Sequence, residues 1–326
     1  MGTDIPSVEL WQWFLFGGFV IALLAADMLL LHRSEKTPTL RESAIFVAMW
    51  CAIAIGFNIY LWHWRGGQAA TEFLTGYLLE WSLSMDNVFV FAVIFRFFHV
   101  PPHYQYRVLF WGILGAIVLR LAFVLAGVQL IRHFDWVLPL FGVLLIYTAV
   151  KLAVQRGAEV RPENNLVLRF ARQRLPVSRG GHHEYGHAFF VREAGRLRMT
   201  PLFLVLLVVE SSDIMFAVDS VPAILGITSD AFVVFTSNVF AILGLRALYF
   251  LLAGAIEKFR HLHYGLSAVL AFVGLSMIGD YAVTYLDHMK AGGHLVPTWA
   301  KLLVIAAALG ASIVASLVSE KKEKKR

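Results

Sequence analysis

Glu210-Ser-Ser-Asp213-Ile-Met-Phe-Ala-Val-Asp219-Ser-Val-Pro222 sets three carboxylates and a proline inside a run otherwise apolar enough to cross a bilayer. An acidic side chain at mid-bilayer costs roughly 2.5 to 3.5 kcal/mol on insertion scales, so three together need partners or ligands and mark a functional site. An earlier stretch, Glu80-Trp-Ser-Leu-Ser-Met-Asp86-Asn87-Val88, carries the same pattern. There a carboxylate stands six residues ahead of an Asp-polar-Val triplet, as Asp213 stands ahead of Asp219-Ser220-Val221. The two stretches read as an internal repeat.

Around them the chain is too apolar for a water-soluble globule: 326 residues, 59% hydrophobic and only 15% charged. This composition belongs to a membrane protein in a lipid bilayer. The net charge of +6 resides in loops and tail, where it reports orientation and lipid contact rather than nucleic acid. A single cysteine, Cys51, excludes a disulfide framework or a thiolate metal cluster built from this chain. The opening Met-Gly-Thr-Asp-Ile-Pro lacks a basic n-region and a cleavage site, so the first apolar run is expected to stay as a membrane helix.

Apolar runs of spanning length fall near 8–31, 42–62, 70–96, 108–131, 135–154, 200–226, 230–255, 264–287 and 296–318. They predict an all-α polytopic protein with about nine transmembrane helices. Two N-terminal helices occupy 1–69, a first three-helix repeat 70–155 and a polar, cytoplasmic loop 156–199. A second three-helix repeat covers 200–288, and a ninth helix with a basic tail covers 289–326. Because each repeat has three helices, the second must cross in the opposite sense, giving inverted repeats. Arg120 follows Gly115 in the helix after the first acidic stretch, and Arg246 follows Gly244 in the helix after the second. Inverted repeats with matching polar residues point to a transporter whose site lies near the midplane.

Orientation comes from the basic residues. With the N-terminus outside, inward segments collect Arg33, Lys36, Arg41, Arg96, Arg107, Lys151, the arginines between 156 and 198, Lys258, Arg260 and the Lys321–Arg326 tail. The outward side keeps only Arg65, Arg132, Lys290 and Lys301. That bias predicts the N-terminus outside and the C-terminus in the cytoplasm, with the tail touching anionic lipid.

On an ideal helix six residues turn about 600°, leaving Glu80 and Asp86, like Asp213 and Asp219, about 120° apart. Glu210 and Asp213 are closer, about 60° apart, and can share a face. Pro222 removes a backbone donor and disfavours helix at Val221, which predicts a kink or break just after Asp219. The expected metal ligands are hard oxygens: Glu80, Asp86, Asn87, Glu210, Asp213 and Asp219, with hydroxyls from Ser84, Ser212 and Ser220. Such a set suits Mg²⁺, Ca²⁺ or Mn²⁺. Met85 and Met215 beside the carboxylates would tilt it toward Mn²⁺, although packing is the commoner use of methionine. Arg120 and Arg246 complete the supporting residues, as counter-ions to Asp86 or Asp219. Five acids against two arginines leave a negative excess that one divalent ion and one proton would neutralise, with Glu210 the first candidate to carry the proton. No organic cofactor is implied.

These residues resemble the TerC family of integral membrane proteins, including its Alx branch, within the LysE-like transporter superfamily. Leu83-Ser-Met-Asp-Asn87 is similar to its first acidic signature. Glu210-Ser-Ser-Asp213 with Phe216-Ala-Val-Asp-Ser-Val-Pro-Ala223 is similar to its second, and the run from Thr236 to Arg246 also resembles the family. The resemblance implies Mn²⁺ efflux from the bacterial cytoplasm across the inner membrane by alternating access. An alternative is a non-transporting membrane scaffold of a metal or tellurite stress-response complex.

His183-Glu184-Tyr185-Gly186-His187 has the spacing of a zinc-protease motif, but Gly186 and the polar surroundings argue against the helix that such chemistry needs. The chain is not expected to be an enzyme. Asp27 and Asp280 fall near predicted helix ends and are expected at the membrane interface.

Overall fold

A computed structural model describes residues 8–31, 38–154, 163, 165–178, 182–193, 195–252, 262–286 and 295–323. The basic residues Arg33, Lys36, Lys258, Arg260 and Lys290 and the end of the tail lie outside the described residues, as do the side chains of His182 and His183.

The chain is helical almost throughout, in the order α1 (Leu10–Leu31), α2 (Leu40–Phe97), α3 (Pro102–His133), α4 (Val137–Val154), α5 (Leu166–Arg174), α6 (His182–Tyr185), α7 (Pro201–Leu225), α8 (Ala231–Leu243), α9 (Leu245–Leu252), α10 (Leu262–Leu286) and α11 (Thr298–Glu323). Among the described residues eight helices are long and apolar enough to span a membrane, with α8 and α9 forming one span. The 58-residue α2 turns at Gly66, whose φ of 84° only glycine adopts freely, and so supplies two of the nine expected spans. The protein is therefore an all-α, multi-pass integral membrane protein.

Local chemistry sets the joints. Thr39 and Glu42 close a capping box at the start of α2, with Glu42 Oε2 accepting from Thr39 N at 2.7 Å. Asp230 caps α8 by accepting from Phe232 N at 3.0 Å. It also pairs with Arg65 at 2.7 Å, which ties the Gly66 turn to the start of α8.

The most extensive helix packings are α4 on α10, α2 on α8 and α3 on α7. Exchanging the first set of three spans (70–97, α3, α4) with the second (α7, α8 with α9, α10) maps each of these pairs onto another or onto itself. The α4–α10 crossing carries this reciprocity to single residues. A Cβ on Gly142 would meet Gly274 O at 2.7 Å and Ile278 Cγ1 at 2.8 Å, while one on Gly274 would meet Gly142 O at 2.6 Å and Ile146 Cγ1 at 3.0 Å. Each partner touches the other as it is touched, as at a two-fold contact.

Two expectations need correction here. Pro222 does not break α7, which runs unbroken from Pro201 to Leu225. The proline sits one turn from the helix end, where Gly226 N donates to Pro222 O at 3.0 Å, and Val221, Ala223 and Ile224 are buried around it. Dense packing holds the helical path despite the missing donor. The discontinuity of the second set instead falls at Gly244, two residues before Arg246.

The polar segment is also more than a loop. α5 buries Leu168 and Ala171, packs on α7, and is followed by an antiparallel hairpin, β1 (Phe190–Glu193) with β2 (Arg196–Met199).

Candidate functional site

The central feature is a buried charge cluster where α2, α3, α7 and α8 meet. Arg120 on α3 is fully buried. Its Nη1 donates to Glu80 Oε1 on α2 and to Asn238 Oδ1 on α8, the latter at 2.6 Å. Its Nη2 stands 3.8 Å from Asp213 Oδ1 on α7. Glu80 and Asp213 are themselves 0% and 4% exposed, so both acids lie out of water.

The cluster is not saturated. Among the described residues Glu80 Oε2, Asp213 Oδ2, Arg120 Nε, Ser84 Oγ and Ser220 Oγ are buried without a hydrogen-bond partner. Leaving such groups unmade costs about 1 to 3 kcal/mol each, more when charged. Their concentration at one place marks a site that accommodates something further.

Glu210 stands one turn before Asp213 on α7 and presses its carboxylate against Gly115 of α3, where any Cβ would collide with it. The glycine five residues before Arg120 is thus the space that Glu210 uses. Ser211 next to it accepts from Asn165 Nδ2 at 2.8 Å, which docks the start of α5 beside the acid. A small cavity lies between α2, α3, α7 and α9, lined by Phe91, Leu109, Gly112, Ile113, Ala116, Val209, Asp213 and Leu245. Asp213 is its one charged wall.

The structure does not gather all five acids into one cage. Among the described residues no three His, Cys, Asp or Glu side chains converge as a metal-binding set. The reason is the six-residue spacing, which rotates each second acid by about 120° and moves it about 9 Å along its helix. Asp219 faces α4, where it accepts from Thr148 Oγ1 at 3.0 Å. Asp86 is half-buried, next to the buried Asn87. Because α2 and α7 run in opposite senses from the central cluster, Asp86 is displaced toward the 98–101 end of the bundle and Asp219 toward the 226–230 end.

Other residues fall differently from expectation. Arg246 pairs with Asp27 on α1, its guanidinium 4.0 Å from the Tyr106 ring centre, and not with an acid of either repeat stretch. Asp27 is accordingly buried rather than interfacial. Asp280 is buried too, accepting from Leu295 N at 2.6 Å and facing Lys301 Nζ at 3.4 Å. Lys301, assigned to the outward loops by the charge count, is 1% exposed and donates to Gly226 O at 2.9 Å. Met85 is buried, whereas Met215 is 68% exposed. At 183–187 the helix stops at Tyr185 and Gly186 turns with φ 54°, so no single helix carries both histidines.

Sequence reasoning passed over Asn238 and Glu72. Both are buried polar residues in apolar spans, and that contrast was the available signal. Glu72 accepts from Gln68 Nε2 at 3.0 Å.

The family model described as "Integral membrane protein TerC family" matches residues 65–324. A protein of Myxococcus xanthus called "Uncharacterized membrane protein" is 46% identical over 98% of this chain and 95% of its own length. A protein of Escherichia coli K12 called "Putative membrane-bound redox modulator Alx" is 44% identical over 81% of this chain and 85% of its own. A membrane protein of Rickettsia felis is 35% identical over 94% and 97%. No solved structure matches.

Proposed function

Starting from the fact that this chain belongs to the TerC family of integral membrane proteins, we propose that it exports a divalent cation, Mn²⁺ first among candidates, by alternating access in a bacterial inner membrane. The observation that carries the reading is the central cluster. Glu80 and Asp213 face a single arginine, Arg120, with Glu210 one turn before Asp213 on α7, and buried oxygens of the first two are left open. The excess of two negative charges equals the charge of one divalent ion. Carboxylate, amide and hydroxyl oxygens are the ligands that Mn²⁺, Mg²⁺ and Ca²⁺ prefer.

The excess of Lys and Arg at the 98–101 end supports placing that end in the cytoplasm. The acids then form a ladder rather than a cage: Asp86 and Glu210 on the cytoplasmic side, Glu80 and Asp213 at the middle, Asp219 with Thr148 on the outer side. A cation passes along them as the helix pairs rock, and protons released or taken up by the same carboxylates are the proposed counter-ion.

The name of the Escherichia coli relative suggests redox work instead. This chain has one cysteine, Cys51, which accepts from Tyr77 Oη at 3.4 Å, so no dithiol can form within it. The acid ladder favours transport.

The test is manganese sensitivity of cells lacking the gene. The wild-type gene should restore growth in Mn²⁺, and Asp219→Ala and Asp213→Asn should not while reaching the membrane in equal amount. Full rescue by both variants would remove the transport reading.

A further inference from the structure

The cavity and the ion pair have a definite order along the bundle. α3 rises from the 98–101 end, and the cavity residues Gly112, Ile113 and Ala116 come before Arg120 on it. Glu210 reaches α3 at Gly115, the same level. Arg120 lies about 6 to 12 Å beyond these residues by helix rise. Past Arg120, Asp219 turns to α4.

A fully buried guanidinium, held by Glu80 and Asn238 and drawn toward Asp213, therefore separates the acids beside the cavity from the last acid of the ladder. A cation moving from Asp213 toward Asp219 meets that positive charge while the guanidinium holds this position. In a low-dielectric interior two like charges at contact repel by several kcal/mol.

We propose that Arg120 is a tethered cation that competes with the transported ion: it holds Glu80 and Asp213 when the site is empty, and it yields them when a divalent ion enters from the cavity. This rests on the reading of the chain as a divalent-cation exporter. In this reading Arg120 is a positioning residue that touches the ligands and not the ion. Asn238 is its resting acceptor, through its carbonyl oxygen, whose own amide donates to Val234 O at 2.8 Å and fixes its orientation. The open oxygens Glu80 Oε2 and Asp213 Oδ2 are the first contacts the ion makes, and the Arg120-bound oxygens follow.

The competition has a signature that a merely structural ion pair lacks: removing Arg120 strengthens ion binding. Mn²⁺ binding to the purified full chain in detergent, measured by the loss of the free Mn²⁺ electron paramagnetic resonance signal, supplies the readout. Arg120→Gln should bind Mn²⁺ about ten-fold more tightly than wild type, because the ion no longer works against an occupied site. Arg120→Gln leaves two buried acids uncompensated, so the charge-neutral Glu80→Gln/Arg120→Gln variant is measured beside it. Removing a complete buried pair is often neutral for folding, and this variant keeps Asp213 and Glu210. It should bind Mn²⁺ more tightly than the Glu80→Gln single variant, which has lost the same ligand but keeps Arg120. A folded Arg120→Gln that binds no more tightly than wild type, or a double variant that binds no more tightly than Glu80→Gln, overturns the role of Arg120. Absence of divalent-ion binding in the wild-type protein overturns the exporter reading itself, and the two failures are thereby distinct.

Discussion

Gly115 and Glu210 occupy one space: a Cβ built on Gly115 would stand 2.5 Å from Glu210 Cδ. The colliding atoms are the free end of a flexible side chain, so Gly115→Ala is expected to fold. Alanine also favours the helix by up to about 1 kcal/mol over glycine. The carboxylate must move, at about 0.5 to 1.5 kcal/mol if it leaves its rotamer. Gly115→Ala should therefore keep its thermal midpoint within a few degrees of wild type and lose Mn²⁺ efflux as Glu210→Gln does. Efflux at the wild-type rate would show that the position of Glu210 does not matter.

The two methionines beside the acids separate packing from ligation. Met215 is 68% exposed, and Met85 is buried among Val88 and Phe91 of its own helix. Met215→Leu should leave transport and Mn²⁺ over Ca²⁺ selectivity within about two-fold of wild type, since an apolar swap on an exposed face changes little. A selectivity shift in flux measurements with both ions would return the thioether to the site.

The outcome for these methionines shows what could be read from sequence and what could not. The spans, and the presence of Glu80, Asp213 and Arg120 among the buried charges, followed from hydropathy and from charges placed where lipid forbids them, whereas the pairing of Arg120 with Glu80 and Asp213 in place of Asp86 or Asp219 did not. The two acids at the second position of each stretch did not join them, and the helical angle between Asp213 and Asp219 already excluded a shared face on a straight helix. Pro222 predicts a kink or break just after Asp219. Packing around Pro222 overrode that local preference, and no single-sequence signal reports such packing. The partner of Arg246 was equally hidden, because Asp27 lies 219 residues away in a helix outside both repeats.

That pair carries its own expectation. Arg246 and Asp27 are 6% and 7% exposed, and removing one member of a buried pair costs about 3 to 5 kcal/mol. Asp27→Leu and Arg246→Met should each lower the thermal midpoint in detergent markedly. The double variant should recover most of the loss, because no unpaired charge remains. Additive losses in the double variant would mean that the two side chains do not depend on each other.

The glycine pair at the α4–α10 crossing gives the sharpest structural test. At Gly142 the added methyl would meet the Gly274 carbonyl at 2.7 Å, and at Gly274 it would meet the Gly142 carbonyl at 2.6 Å. A backbone oxygen cannot swing aside as the Glu210 carboxylate can, so the helices must separate. Overpacking of this kind costs about 1 to 3 kcal/mol. Because each glycine presents the same surface to the other, Gly142→Ala and Gly274→Ala should lower the thermal midpoint by similar amounts. The double variant should cost less than the sum, since the first separation already admits the second methyl. Unequal single effects with full additivity would show that α4 and α10 do not meet as equivalents.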